Sequence, residues 1–151
     1  MRKALTKEHL RYLEGARVAR LATSDLKGSV SLVPIVFACN SDAIFFVVDK
    51  KSKQPGKTLK RLSNISENPI ATVLIDRYSE EWKDLSYLVV KCDAKILHSK
   101  HEKQNVAKLL KEKYEQYRSG GYFPEDLEEA VIVKLRPKKA VFWQNLRTPV
   151  P

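Results

Sequence analysis

Cysteine and methionine are scarce in this sequence, which has two cysteines and one methionine among 151 residues. Cys39 and Cys92 both lie in apolar, strand-like segments, where a thiol usually serves as a small buried hydrophobic group. Their spacing matches no zinc or redox motif. A disulfide between them would be unusual in a reducing compartment, so we expect free thiols.

Long apolar runs are also missing. The longest, Leu32–Cys39 and Ala43–Val48, fall far short of the roughly 20 residues that a membrane helix needs. The basic pair Arg2–Lys3 is followed by neither a long apolar core nor a small-residue cleavage site. A hydrophobic content of 43% is typical of a folded protein. We predict one domain covering residues 1–151, cytoplasmic and without membrane contact.

The sequence is short of acidic residues, with 18 against 28 basic ones and a net charge of +10. Lys50–Arg61 holds six basic residues and no acidic one, so this segment carries six of the ten net charges. Such a focused charge fits a compact anionic ligand better than a nucleic acid, which needs a basic stripe across a face. Nucleic-acid binding would rest on the total charge alone. The remaining alternative is a solvated surface loop.

Local patterns predict mainly strands, with a few helices. Thr6 caps a helix that ends at Gly15, residues 58–66 form a short helix, and Ser99 begins a longer one that stops at Ser119–Gly121. That longer helix has an apolar face marked by Val106, Leu110, Tyr114 and Tyr117. The predicted strands cover residues 16–24, 30–39, 43–49, 70–76, 85–97, 130–135 and 140–143.

The connections between these strands decide the fold class. Successive strands joined by short turns must be antiparallel, because a parallel connection needs a crossover of a dozen or more residues. The pattern therefore indicates a mainly β, α+β protein with an antiparallel barrel, not a doubly wound sheet. The segments 70–75 and 85–90 have more apolar positions than one barrel interior accepts. We therefore expect a homodimer.

Several short motifs between residues 8 and 97 occur in a recognisable order. In chain order they are Ala16–Thr23, Leu32–Pro34, Val48–Lys53, Leu59–Ile65, Asn68–Pro69 and Asp76–Trp82. With them, the sequence resembles the pyridoxamine 5'-phosphate oxidase-like superfamily, whose members have an antiparallel split β-barrel of the FMN-binding, flavin-reductase-like kind. Within it, the sequence is most similar to the deazaflavin (coenzyme F-420)-dependent oxidoreductases.

This resemblance implies that the chain binds FMN or coenzyme F-420. It also implies that the second and third strands border the coenzyme ring and that the basic segment holds its phosphate. The Gln54–Gly56 turn departs from the Thr/Arg-rich stretch of the family. Independently, basic residues at a helix N-terminus make a phosphate site. Matched by position, the cofactor-binding residues are Val33, Pro34, Val48, Asp49, Lys50, Lys53, Lys57, Lys60 and Arg61.

No hydrolytic signature of the Ser-His-Asp or Cys-His kind is visible. His98 and His101 have no third metal ligand arranged with them, so we predict no metal site. The absence of an obvious acid or base is compatible with redox chemistry carried by a coenzyme. We expect hydride transfer to or from a small-molecule substrate, with Tyr78 and Tyr87 as candidate proton donors and the catalytic residues otherwise unidentified. The alternative is a non-enzymatic protein that binds or senses a flavin, a deazaflavin or haem.

Overall fold

The computed structural model describes residues 3–49 and 59–145, which form seven strands and four α-helices. The helices are α1 (Lys7–Glu14), α2 (Lys60–Glu67), α3 (Lys100–Lys113) and α4 (Glu115–Ser119), and Trp82–Asp84 form a 3-10 turn. The strands are β1 (Ala19–Ser24), β2 (Val30–Ile35), β3 (Ala38–Cys39), β4 (Ile44–Val47), β5 (Ile70–Arg77), β6 (Ser86–Ile96) and β7 (Ile132–Gln144).

All seven strands belong to one curled sheet, in the order β2-β1-β5-β6-β7-β4-β3. Every neighbouring pair is antiparallel. The predicted α+β fold with an antiparallel split barrel is therefore confirmed. Pro34 lies in β2, at one end of the sheet, where a residue without an N–H group costs no ladder hydrogen bond.

The last strand differs from the prediction. Two closing strands were expected around the Arg136–Lys139 segment, whereas β7 is a single strand of 13 residues. Its register against β6 shifts between Lys91 and Cys92, so that Lys91 pairs with Lys139 and Cys92 with Pro137. A β-bulge accommodates an extra residue and a proline without ending the strand.

The long helix predicted from residue 99 onward also differs. It divides at Tyr114, which has an extended backbone (φ −120°, ψ 115°) between α3 and α4. The Tyr114 hydroxyl donates to the carbonyl oxygen of Arg17 at 2.8 Å and accepts from the N–H of Phe37 at 3.2 Å. Tertiary hydrogen bonds to a buried hydroxyl thus hold the residue where the helix breaks.

The sheet is apolar on both sides of β4, because two hydrophobic clusters meet there. Ile44 and Phe46 belong to the cluster under the curl of the sheet, together with α1, whereas Phe45 and Val47 belong to the cluster against α3 and α4. Both cysteines are free thiols. Burial raises the pKa of Cys39 to about 11 and that of Cys92 to about 12, so both remain protonated near neutral pH.

The outer side of the sheet carries apolar residues that no described element covers. Leu74, Val89 and Val141 are cross-strand neighbours in one row, and Tyr87 stacks on Trp143 with ring centroids 5.5 Å apart. Val141 is 46% exposed and Trp143 is 40% exposed. Large contiguous apolar patches usually mark an interaction surface. We call these five residues the outer apolar face.

Within the described ranges, no helix is both long and apolar enough to cross a membrane.

Candidate functional site

A cleft opens where the end of β4 approaches α4, and it has two adjoining compartments. One, which we call the Arg17 compartment, has a volume of about 370 Å³. The other, the Arg61 compartment, has a volume of about 250 Å³. Val18, Val36, Asp49 and Tyr117 line both of them. The two compartments therefore form one continuous site.

Asp49 and Tyr117 meet at the junction of the compartments. Asp49 follows β4, whose burial between the two hydrophobic clusters fixes its end. Tyr117 lies on α4. Its ring packs edge-to-face with the rings of Phe123 and Tyr114, with centroid distances of 5.4 and 5.9 Å. The Tyr117 hydroxyl donates a hydrogen bond to Oδ1 of Asp49. The packing of β4 and of the Tyr117 ring thus fixes the position of this hydrogen bond.

Burial, together with the hydrogen bond to the Asp49 carboxylate, raises the pKa of Tyr117 above its usual value. A buried hydroxyl needs a partner, and ionisation of the ring would place a second negative charge beside the carboxylate. Tyr117 therefore remains a protonated donor at neutral pH. Asp49 gains a partner that is not a cation.

Arg61 provides the positive charge of the second compartment. It lies in the first turn of α2 and is half-buried, and its Nε atom is buried without a hydrogen-bond partner among the described residues. Burial lowers the pKa of Arg61 and Asp49 raises it, but a guanidinium stays charged in any case. Leu59 provides no side-chain cap for α2. A charged donor and uncapped backbone N–H groups therefore share one helix end, as an anion site requires.

The structure brings together three of the predicted coenzyme residues, since Pro34, Asp49 and Arg61 all line the Arg61 compartment. Val33 packs half-buried against the core, and Val48 is buried; neither lines the cleft. Lys60 pairs with Asp25 at 3.2 Å. Lys50, Lys53 and Lys57 lie outside the described residues.

Sequence reasoning missed the tyrosine side of the cleft. Tyr114 and Tyr117 were assigned to the apolar face of one continuous helix, although both also line the Arg17 compartment. Their hydroxyl groups were the available signal, because a buried tyrosine needs a polar partner. The partners Asp49 and Arg17 are 68 and 97 residues away in sequence, so spacing alone could not identify them.

In the described part of the chain, no three His, Cys, Asp or Glu residues lie close enough together to hold a metal ion. His98 and His101 are exposed, and His101 contacts Asn105 at 3.4 Å. Neither histidine lines the cleft.

Comparison with known protein families gives one clear match. A family model described as pyridoxamine 5'-phosphate oxidase matches residues 5–144, a range that includes every described residue of the cleft. Among curated proteins, none matches the sequence.

Solved structures of low sequence identity share the fold. An FAD-binding protein of Mesorhizobium loti is 18% identical with a TM-score of 0.64, and the match covers 90% of this chain and 92% of that one. The haem storage protein HutZ of Vibrio cholerae is 15% identical with a TM-score of 0.67, covering 95% of each chain. A protein described as an F420 reductase is 19% identical with a TM-score of 0.63, covering 91% of this chain and 98% of that one.

Proposed function

Because the chain belongs to the pyridoxamine 5'-phosphate oxidase family, we propose that it is an oxidoreductase that binds FMN or coenzyme F-420 in the cleft. It would transfer hydride to or from a small organic substrate. The observation that carries this proposal is the buried Nε of Arg61, which has no hydrogen-bond partner among the described residues. A buried charged donor without a partner is costly, and a phosphate group would satisfy it.

The residues of the Arg61 compartment fit such a coenzyme. Arg61 and the uncapped N-terminus of α2 suit the phosphate. Val18, Pro34 and Val36, which are exposed or half-buried, offer apolar surface to a flat ring. Solved proteins that share the fold include an FAD-binding protein and an F420 reductase. The six basic residues of Lys50–Arg61 favour coenzyme F-420 over FMN, because its oligoglutamate tail carries more negative charge.

The coenzyme, when bound, supplies the ring that donates or accepts hydride. The protein's own residues bind and orient it. Arg61 holds the phosphate, and the apolar walls exclude water from the ring. Tyr117 engages the Asp49 carboxylate through a hydrogen bond, which leaves the Arg61 guanidinium available to an external anion.

We propose that the active species is a homodimer formed through the outer apolar face. A row of apolar side chains across β5, β6 and β7 is typical of a permanent interface. A two-fold axis would place the same face of each subunit against the other. Ligand pockets usually bury most of their ligand's surface, and the Arg61 compartment, at about 250 Å³, is small for a tricyclic ring with its phosphate chain. The second subunit would therefore complete the coenzyme site.

Haem binding without catalysis is the second candidate. The haem storage protein HutZ shares the fold, and tyrosine can ligate haem iron. Tyr117 and Tyr122 line the Arg17 compartment. Haem titration would show a Soret shift that depends on these tyrosines if this candidate were correct, and reduced holoprotein would turn over no substrate.

The proposal is tested by titrating the purified apoprotein with FMN and with coenzyme F-420 while following coenzyme fluorescence. We expect saturable binding of at least one of them at micromolar concentration. The reduced holoprotein should then reduce nitro or enone substrates. Failure of both coenzymes to bind would reject the proposed function.

A further inference from the structure

The Arg17 compartment has walls suited to a flat apolar molecule. Three tyrosines, Tyr114, Tyr117 and Tyr122, line it together with Val18 and Val36. Aromatic rings and branched side chains provide much contact area for a planar body. The volume of about 370 Å³ lies near the lower end of the about 300–1,000 Å³ usual for ligand pockets. The compartment therefore suits a molecule of one or two fused rings.

Arg17 gives this compartment a fixed cation. Its guanidinium carbon lies 4.5 Å from the centre of the Tyr114 ring. The hydroxyl of the same tyrosine donates to the Arg17 carbonyl oxygen at 2.8 Å. Tyr114 thus holds both the backbone and the side chain of Arg17, so little conformational entropy remains to be lost when Arg17 binds an anion.

The guanidinium of Arg17 forms no ion pair with any residue in the ranges 3–49 and 59–145. Its side chain is exposed. Stacking on a ring uses the flat face of a guanidinium and leaves the N–H groups along its edge free. Those groups match the two oxygens of a carboxylate in a bidentate pair.

A second cation faces the same ring. The Nζ atom of Lys113 lies 5.4 Å from the centre of the Tyr114 ring and 3.8 Å from that of Phe37. It is buried and has no hydrogen-bond partner among the described residues. The pKa of Lys113 is lowered to about 8, chiefly by burial, and the charge of Arg17 contributes in the same direction. An anion at Arg17 would offset the repulsion between these two cations.

The compartment also carries a negative charge, because Asp49 lines it at the junction with the Arg61 compartment. A ligand with one negative charge at its end fits this arrangement better than a dianion, which would meet the Asp49 carboxylate as well.

We propose that the Arg17 compartment binds the substrate and that this substrate is a planar, conjugated carboxylate whose carboxylate group pairs with Arg17. The ring system of the substrate occupies the compartment that the tyrosines line together with Val18 and Val36. The identification of this ligand as the substrate rests on the proposed function. The carboxylate site itself rests on Arg17 and Tyr114.

The test is isothermal titration calorimetry of the 151-residue chain with 2-naphthoate and with its neutral analogue 2-naphthamide. Three proteins are compared: the native chain, Arg17→Gln, and the control Arg136→Gln, which removes an exposed arginine of β7 outside the cleft. We expect 2-naphthoate to bind native protein and the control equally. Arg17→Gln should weaken it about ten- to a hundredfold. The amide should bind more weakly than the carboxylate, and its affinity should be the same for native protein and Arg17→Gln.

Lack of 2-naphthoate binding at millimolar concentration would overturn the inference, and so would equal affinities for native protein and Arg17→Gln. Displacement of 2-naphthoate by FMN or coenzyme F-420, together with loss of its binding in Arg61→Gln, would also overturn it, because the ligand would then occupy the Arg61 compartment. A parallel coenzyme titration separates the two proposals. Arg17-dependent 2-naphthoate binding in a protein that binds neither coenzyme would support the carboxylate site and reject the proposed function.

Discussion

Tyr117 on α4 donates a hydrogen bond to Asp49 at the end of β4, and this bond lies where the two compartments of the cleft meet. It joins the helical segment to the sheet. It also provides Asp49 with a neutral donor, although Arg61 lies close enough for the Asp49 charge to influence its pKa. The bond therefore affects both the stability of the fold and the electrostatics of the proposed phosphate site.

Tyr117→Phe should lower the free energy of unfolding by about 1–2 kcal/mol, because a half-buried carboxylate loses a donor. The pKa of Tyr117 is raised in the folded state, so its contribution is full below the unfolded pKa of about 10 and is lost as pH rises above it. The difference between variant and native protein should therefore shrink above about pH 10. Urea denaturation across pH measures this.

The matched control for that experiment is Tyr78→Phe. The Tyr78 hydroxyl also donates to a carboxylate, that of Glu80 at 3.2 Å, but the residue is exposed. This substitution should change stability by less than about 0.5 kcal/mol. Equal losses in the two variants would contradict the role assigned to the Tyr117 bond.

Lys113→Met should stabilise the protein at neutral pH. The folded pKa of Lys113 is lowered from 10.5 to about 8 by burial, so native stability is highest above about pH 10.5 and decreases as pH falls toward 8. The variant avoids this loss. Its free energy of unfolding at pH 7 should therefore exceed that of the native protein by about 1 kcal/mol, after allowance for solvent screening. Thermal denaturation at pH 7 and pH 10 measures it. Lys108→Met, on the exposed face of the same helix, should not stabilise the protein.

Val141→Arg should convert the proposed dimer to a monomer, because it places a charge within the outer apolar face. Sedimentation velocity at low micromolar concentration measures the mass. Leu26→Arg is the control, since Leu26 is 72% exposed in the loop between β1 and β2. A monomeric native protein that binds coenzyme with full affinity would rule out the shared site.

The sequence was sufficient to predict those parts of the fold that depend on local signals. The Thr6 cap of α1 and the Ser99 cap of α3 are both present. Each hydroxyl accepts a hydrogen bond from the third N–H of its helix, at 3.2 Å for Thr6 and 3.3 Å for Ser99. The strand predicted over residues 85–97 is present as β6, Ser86–Ile96. These features depend only on neighbours along the chain.

The parts that the sequence could not predict depend on distant partners. Pro137 suggested a strand break, but the bulge opposite Cys92 allows β7 to continue. Tyr114 fits the pattern of a continuous helix, but its hydroxyl forms hydrogen bonds with the backbone of Arg17 and Phe37, and the helix breaks there. The roles of the site residues also depend on partners that are distant in sequence. Adjacent residues such as Lys60 and Arg61 look equivalent in sequence, whereas the fold pairs Lys60 with Asp25 and directs Arg61 to the cleft.

The most direct test of the central claim compares the coenzyme affinity of Arg61→Gln with that of Lys60→Gln by fluorescence titration. If the Arg61 compartment holds the coenzyme phosphate, Arg61→Gln weakens binding about ten- to a hundredfold. Lys60→Gln, one residue away and paired with Asp25 at 3.2 Å, causes a clearly smaller loss. Equal affinities for native protein and Arg61→Gln, with both variants folded, would contradict the account.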